Sequence, residues 1–127
     1  MSLLEPEFYL NGASAADIAA EIAAGADINE RTQDGSTALH LAVYYQGTPE
    51  AIGALIDAGL DVNAVSTDGT TPLHDAASKG HCKAIEILLA NGADINARRP
   101  NGACALDWAV KYGTEEAAEL LRTYNKP

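Results

Sequence analysis

The sequence predicts an all-α solenoid of about four helix-turn-helix units with short hairpin loops. A first repeated segment reads Gly-Ala-Asp-Ile-Asn at 25–29, Gly-Leu-Asp-Val-Asn at 59–63 and Gly-Ala-Asp-Ile-Asn at 92–96. A second segment, Asp-Gly-Ser-Thr-Ala-Leu-His at 34–40, returns at 68–74 and, in degenerate form, at 101–107. Both segments advance by 34 and then 33 residues, and a shared period of this length is typical of stacked repeats. An aromatic content of only 6% also favours closely packed helices rich in Ala, Leu, Ile and Val.

Length and charge narrow the classes of partner. A chain of 127 residues suffices for one domain with a sizeable core. The formal net charge of −10 argues against free nucleic acid and against an anionic membrane surface, because both need a positive patch. Two cysteines are too few for a disulfide scaffold, so we expect free thiols and a cytoplasmic location. Residues 1–9 carry no basic side chain and do not resemble a secretory signal.

Turn and capping residues divide each unit into two helices. Asp-Gly or Asn-Gly pairs at 34–35, 68–69 and 101–102 mark turns, because glycine accepts a positive φ. First helices are predicted over 38–45, 72–79 and 105–112, and Gly47, Gly80 and Gly113 are expected to end them. A 34-residue step at position 42 and a 33-residue step at position 47 place one extra residue between positions 43 and 46.

Second helices are predicted to begin after hydroxyl side chains and to end at glycine. Ser14, Thr48 and Thr114 occupy equivalent positions and are good N-cap residues. His81 fills that position in the third unit. Glycines at 25, 59 and 92 suit the left-handed conformation that ends a helix. Residues 5–10 are expected to form the first helix of an atypical opening unit.

The segment over 68–97, DGTTPLHDAASKGHCKAIEILLANGADINA, closely resembles an ankyrin repeat. This resemblance extends from about residue 14 to residue 121 and implies a curved stack of hairpin–helix–helix units. We expect one domain over 1–127, with an N-terminal cap at about 5–31, units at 32–65 and 66–98, and a C-terminal cap at 99–127. Glu21 and Arg122 replace core residues of the middle units, so the stack is expected to begin and end within this chain.

Candidate chemical groups have structural interpretations. The resemblance implies that His40 and His74 tie hairpin to helix beside Thr37 and Thr71, and that His81 is also structural. In the last unit Cys104 and Asp107 take the threonine and histidine positions, and its hairpin is expected to be less firmly tied. We find no nucleophile motif, no phosphate-binding glycine loop and no clustered metal ligands. The sequence therefore predicts no catalysis, no metal and no cofactor.

The family resemblance implies partner binding at the hairpin tips and on the concave face of the first helices. The corresponding hairpin positions hold Arg31, Gln33 and Ser36; Val65, Thr67 and Thr70; and Arg98, Pro100 and Ala103. The helix positions hold Tyr44 and Tyr45, Ser78 and Lys79, and Lys111 and Tyr112.

This predicted surface is basic and rich in tyrosine although the chain is acidic. It carries four of the eight Lys and Arg residues and three of the five tyrosines, and none of its positions holds a carboxylate. Tyr and Arg are enriched at binding hot spots. The extra residue near Tyr44 and Tyr45 adds to the case, because binding loops tolerate irregularity. Trp108 is expected either to pack on the last helix or to join this surface.

The sequence thus predicts a monomeric protein-interaction module whose partner presents acidic and apolar features. The first alternative is an orphan or engineered scaffold without a natural partner, and the unequal surface positions of the units argue against it. The second alternative is a fragment of a larger multidomain protein. An enzyme comes last, because no catalytic constellation is present.

Overall fold

The computed structural model describes residues 3–124, which contain eight helices and no strand. The helices are α1 (Pro6–Leu10), α2 (Ala15–Ala23), α3 (Ala38–Tyr44), α4 (Pro49–Asp57), α5 (Pro72–Lys79), α6 (Cys82–Ala90), α7 (Ala105–Tyr112) and α8 (Glu115–Tyr124). The predicted bounds of α5 and α7 are confirmed, and α3 ends one residue earlier than predicted. None of the eight helices has the length and apolar character needed to cross a bilayer.

The helices form two layers, so the predicted all-α solenoid is confirmed. First helices pack in the order α1, α3, α5, α7, and second helices pack in the order α2, α4, α6, α8. The core lies between the layers, where Leu39, Leu73, Ile52, Ile85 and Leu88 are at most 1% exposed. Burial of each such side chain stabilises the fold by about 1.5–3 kcal/mol, and most of that burial requires a neighbouring unit.

Hydroxyl side chains begin most of these helices, as predicted. The Oγ atoms of Ser14, Thr48 and Thr114 accept the backbone N–H three residues onward, at 3.2, 3.1 and 3.1 Å. Each bond satisfies one of the N–H groups that a helix leaves unpaired at its start. His81 precedes α6 without capping it, and its Nε2 instead lies 3.1 Å from the carbonyl oxygen of Gly47 in the preceding unit.

Two buried histidines connect consecutive units. Nδ1 of His40 accepts the Thr37 N–H at 3.1 Å, and Nε2 donates to the Thr70 carbonyl at 2.8 Å. His74 repeats the pattern with the Thr71 N–H at 3.2 Å and the Ala103 carbonyl at 3.1 Å. Burial lowers the pKa of both rings, which keeps them neutral with the proton on Nε2. Each ring therefore caps its own helix and also holds the hairpin of the next unit.

The last unit retains only half of this arrangement. The Asp107 carboxylate accepts the Cys104 N–H at 3.0 Å and so caps α7. Nothing beyond it corresponds to a following hairpin within residues 3–124, so a second bond of the histidine type is not required there.

The connection between α3 and α4 corrects the predicted position of the extra residue. Gly47 N–H donates to the Ala42 carbonyl and His81 N–H donates to the Ala76 carbonyl, so the 34-residue register persists to the end of the first helices. The following N-caps, Thr48 and His81, are 33 residues apart. The extra residue is therefore Gly47, which lies after the helix, and the prediction that it lies between positions 43 and 46 is wrong.

The opening unit shares this longer connection. Gly12 has a φ of 79° and is separated from the Ser14 N-cap by one residue, as Gln46 at φ 55° is separated from Thr48. In the third unit Gly80, at φ 65°, is followed directly by the His81 N-cap. The extra residue is thus common to the first two units and no longer supports a specialised loop at Tyr44 and Tyr45.

Gln46 should be a strained position, because it is the only non-glycine residue with positive φ within residues 3–124. We expect Gln46→Gly to raise the free energy of unfolding by about 1 kcal/mol. The reciprocal change, Gly80→Ala, should lower it, because the new Cβ would lie 2.9 Å from Thr114 Cγ2 and φ is positive. Urea denaturation measures both variants, and a loss of stability in Gln46→Gly would contradict the prediction.

Loss of an inter-unit histidine should cost more than loss of a half-buried one. We expect His74→Ala to lower the free energy of unfolding by about 2–4 kcal/mol, because it removes a buried side chain and leaves the Ala103 carbonyl without its donor. His81→Ala is the matched control and should cost about 1 kcal/mol, since it loses one hydrogen bond. Equal losses on thermal denaturation would refute the structural role assigned to His74.

Candidate protein-interaction groove

A groove of about 700 Å³ runs along the first helices α3, α5 and α7 and is closed on one side by the hairpins. Its lining combines aromatic, hydroxyl and carboxylate side chains. The lining residues are Asp34, Ser36, His40, Leu41, Tyr44, Tyr45, Ser66, Asp68, Thr70, Asp75, Ser78, Lys79, Trp108 and Tyr112.

The groove brings together about half of the residues predicted from the sequence. Those that line it are Ser36, Tyr44, Tyr45, Thr70, Ser78, Lys79 and Tyr112. The others lie outside the lining, at the hairpin tips or on the end of α7. They are Arg31, Gln33, Val65, Thr67, Arg98, Pro100, Ala103 and Lys111.

Thr70 is a poor contact residue, contrary to the prediction. Only 6% of its surface is exposed, and its carbonyl accepts the bond from His40. Two predicted arginines also have structural bonds. Arg31 Nη1 donates to the carbonyls of Gly35 at 3.0 Å and Val65 at 2.8 Å, and Arg98 donates to the carbonyl of Gly102 at 2.6 Å. These guanidinium groups hold the hairpins in shape before any partner arrives.

Aromatic rings form the two ends of the groove. Tyr44 and Tyr45 meet edge to face with centroids 5.0 Å apart, and Trp108 meets Tyr112 in the same way at 6.0 Å. Tyr44 and Tyr112 are 42% and 58% exposed, so their faces are available to a partner. The structure places Trp108 in the groove, 5.5 Å from the ring of His74, and so decides between the two positions that the sequence left open.

Cations lie against three of these rings. Lys79 Nζ is 4.2 Å from the centroid of Tyr44, and Lys111 Nζ is 5.1 Å from that of Tyr112. The Arg99 guanidinium stacks on Trp108 at 4.7 Å and donates to Asp68 Oδ2 at 3.1 Å. Cation–π contacts of this kind contribute about 0.5–1 kcal/mol where they are exposed.

The floor of the groove is acidic, which corrects the basic surface predicted from the sequence. Asp34, Asp68 and Asp75 all line it, whereas Lys79 supplies its cationic group. Asp34 and Asp68 had been interpreted as turn residues alone, and Asp75 had no predicted role. A signal for Asp75 was present in the sequence, because its charge occupies the position that Leu41 and Trp108 hold in the adjacent units.

Hydrogen bonds within the hairpins keep the first two carboxylates ionised. The hydroxyls of Thr32 and Ser36 lower the pKa of Asp34. The Ser66 hydroxyl, with help from the Thr70 N–H and Arg99, lowers the pKa of Asp68 to about 2. Both groups are therefore fixed negative charges at neutral pH.

Asp75 is in a different environment. It is 9% exposed, and no described side chain or N–H donates a hydrogen bond to its carboxylate. Burial, together with the negative charges of Asp68 and Asp34, raises its pKa to about 7, although Lys79 and Arg99 act in the opposite direction. At neutral pH the groove therefore holds a desolvated carboxylate that is only partly ionised.

Other chemistry has little support among residues 3–124. No three His, Cys, Asp or Glu side chains come together there as a metal site. Cys82 and Cys104 are free thiols, and burial raises the pKa of Cys82, which disfavours a reactive thiolate.

The raised pKa of Asp75 should make stability depend on pH. Between an unfolded value of 3.8 and a folded value of about 7, the folded chain keeps a proton that the unfolded chain has lost. Stability should therefore fall as pH rises through this window and stay low above it. We expect Asp75→Asn to be more stable than the parent by about 3 kcal/mol at pH 8 and by about 1 kcal/mol at pH 5.

Denaturant unfolding at both pH values measures this difference. Asp57→Asn removes an exposed carboxylate from the outer layer and should change stability little at either pH. A gain in Asp75→Asn that is the same at pH 5 and pH 8 would contradict the assigned pKa.

Comparison with known proteins agrees with the architecture. No curated protein matches the chain. A family model that describes three copies of ankyrin repeats matches residues 10–99, which extends from the end of α1 to the hairpin before α7. The match covers well over half of the chain, and the helix pairs, hairpins and histidine bonds continue through it. The chain therefore belongs to the ankyrin-repeat family.

Proposed function

We propose that this chain binds a partner protein in the groove over α3, α5 and α7 and at the adjoining hairpin tips, without catalysing a reaction. Ankyrin repeats are generally protein–protein interaction modules and are typically not catalytic. The observation that carries the proposal for this chain is the aromatic lining, with Tyr44 and Tyr112 about half exposed beside Trp108. Tyrosine and tryptophan are the residues that dominate binding energy at protein interfaces.

Rigidity of the groove supports the same proposal. Hairpin positions are held by His40, His74 and Arg31, and α5 is held between α3 and α7. A binding surface that is ordered in advance loses little conformational entropy when a partner docks. The cationic rim, formed by Lys111 and Arg98, remains suited to the acidic features that the sequence predicted in a partner.

Location and assembly state are part of this proposal. Cys82 and Cys104 are free thiols, which fits a reducing compartment such as the cytoplasm. We further infer that the chain acts as a monomer, with the groove left free for a different protein.

Two exposed tyrosines provide a matched test. Tyr112 lines the groove and is 58% exposed, whereas Tyr124 ends α8 in the outer layer and is 50% exposed. We expect Tyr112→Ala to weaken capture of a partner from a lysate of the source cells by about tenfold or more, equivalent to about 1.4 kcal/mol or more. Tyr124→Ala should leave capture unchanged. Quantitative mass spectrometry of the bound fraction measures both.

The outcomes separate the alternatives. A protein that both variants capture equally would show binding outside the groove. The absence of any protein captured reproducibly above a resin control would contradict the proposed function and favour a scaffold without a natural partner.

A further inference from the structure

The unpartnered carboxylate of Asp75 calls for a physical explanation. A buried polar group without a hydrogen-bond partner costs about 1–3 kcal/mol, and more when it is charged. The same position holds Leu41 in the preceding unit and Trp108 in the following one, so an apolar side chain is compatible with the stack. The solenoid would therefore be more stable without this carboxylate, and Asp75 makes no bond that holds the fold together.

The carboxylates of Asp34 and Asp68 extend the negative charge of the groove floor. Both are ionised and fixed in the hairpins that border the groove, and both act electrostatically on Asp75. The floor thus carries three carboxylates that face one space of about 700 Å³. Like charges placed together in this way favour an added cation and disfavour an added anion.

The cations near the floor are held elsewhere. Arg99 pairs with Asp68 and stacks on Trp108. Lys79 lies over the ring of Tyr44, and no ion pair within 4.0 Å joins it to Asp75 in the described structure. Asp75 therefore keeps an unmet need for a cation.

The groove walls are suited to receive a cation. Trp108 and Tyr44 each already have a cation against the ring, which demonstrates that these faces are reachable by a positive group. Tyr112 continues the wall beyond Trp108 and is more than half exposed. A long side chain with an apolar stem and a charged tip could pack its stem against these rings while its tip approaches Asp75.

We propose that the groove is a pocket for a basic side chain, lysine or arginine, of the partner protein, with the cation bound between the aromatic walls and the Asp75 carboxylate. This inference rests on the proposed function and adds a specificity to it. The partner presents a basic residue to the floor of the groove, whereas any acidic residues of the partner meet the cationic rim.

Trp108 provides a direct optical reporter, because it is the only tryptophan in the chain and lines the pocket. The probes are four blocked tripeptides, acetyl-Leu-X-Leu-amide, in which X is lysine, arginine, norleucine or glutamate. We expect the lysine peptide, the arginine peptide or both to change Trp108 fluorescence saturably at pH 8, with half-saturation near or below about 10 mM. The norleucine and glutamate peptides should bind at least about tenfold more weakly, and the lysine and arginine results distinguish the two cations.

Two variants that each remove one negative charge separate a specific pocket from general attraction to an acidic protein. Asp75→Asn should weaken the cationic peptides by about tenfold, while Asp57→Asn, in the outer layer, should leave their affinity unchanged. Asp75→Asn removes a buried charge without a bonded partner, so it is expected to fold, and circular dichroism verifies this.

Three results would overturn the proposed pocket. They are the absence of saturable binding by both cationic peptides, equal binding of the norleucine peptide, and equal weakening by Asp75→Asn and Asp57→Asn. Each is distinguishable from failure of the proposed function, because the capture comparison of Tyr112→Ala with Tyr124→Ala does not depend on Asp75.

Discussion

The neutral imidazole that joins one unit to the next is the interaction on which the groove depends. A single unit cannot bury its apolar face alone, so its hairpin and helices take their positions from neighbours. His40 and His74 supply that connection with one nitrogen on their own helix start and the other on the following hairpin. The hairpins in turn carry Asp34 and Asp68, so these bonds also determine where the negative charges of the groove lie.

The groove differs from the core in what its residues contribute. In the core, leucine and isoleucine lose nearly all contact with water, and each one stabilises the stack. On the concave side Asp75 occupies a position where its neighbours are apolar, and its burial lowers stability at neutral pH. A residue that opposes folding, in a cavity lined by aromatic rings, is the pattern expected where binding and stability make different demands.

The irregular connection after α3 does not reshape this surface. The first helices keep one register through Tyr44 and Ser78, and the extra residue follows them at Gly47. Gln46 accepts the left-handed conformation that glycine adopts at the equivalent positions, and the second helix still begins on a capping threonine. Repeats absorb a residue at this place because the connection lies between the two helix layers and not within either one.

The sequence by itself determined the features that depend on contacts between near neighbours along the chain. The repeat period, the helix bounds and the capping hydroxyls all follow from local signals, since turns and helix ends are set within a few residues. The tertiary structure alone decided the character of the groove. Residues about 33 positions apart meet there, so Asp75 lies near Asp34 and Asp68, Trp108 joins the wall, and Thr70 is buried. Exposure and net charge at such a surface are sums over neighbouring units, and assigning positions one unit at a time could not supply them.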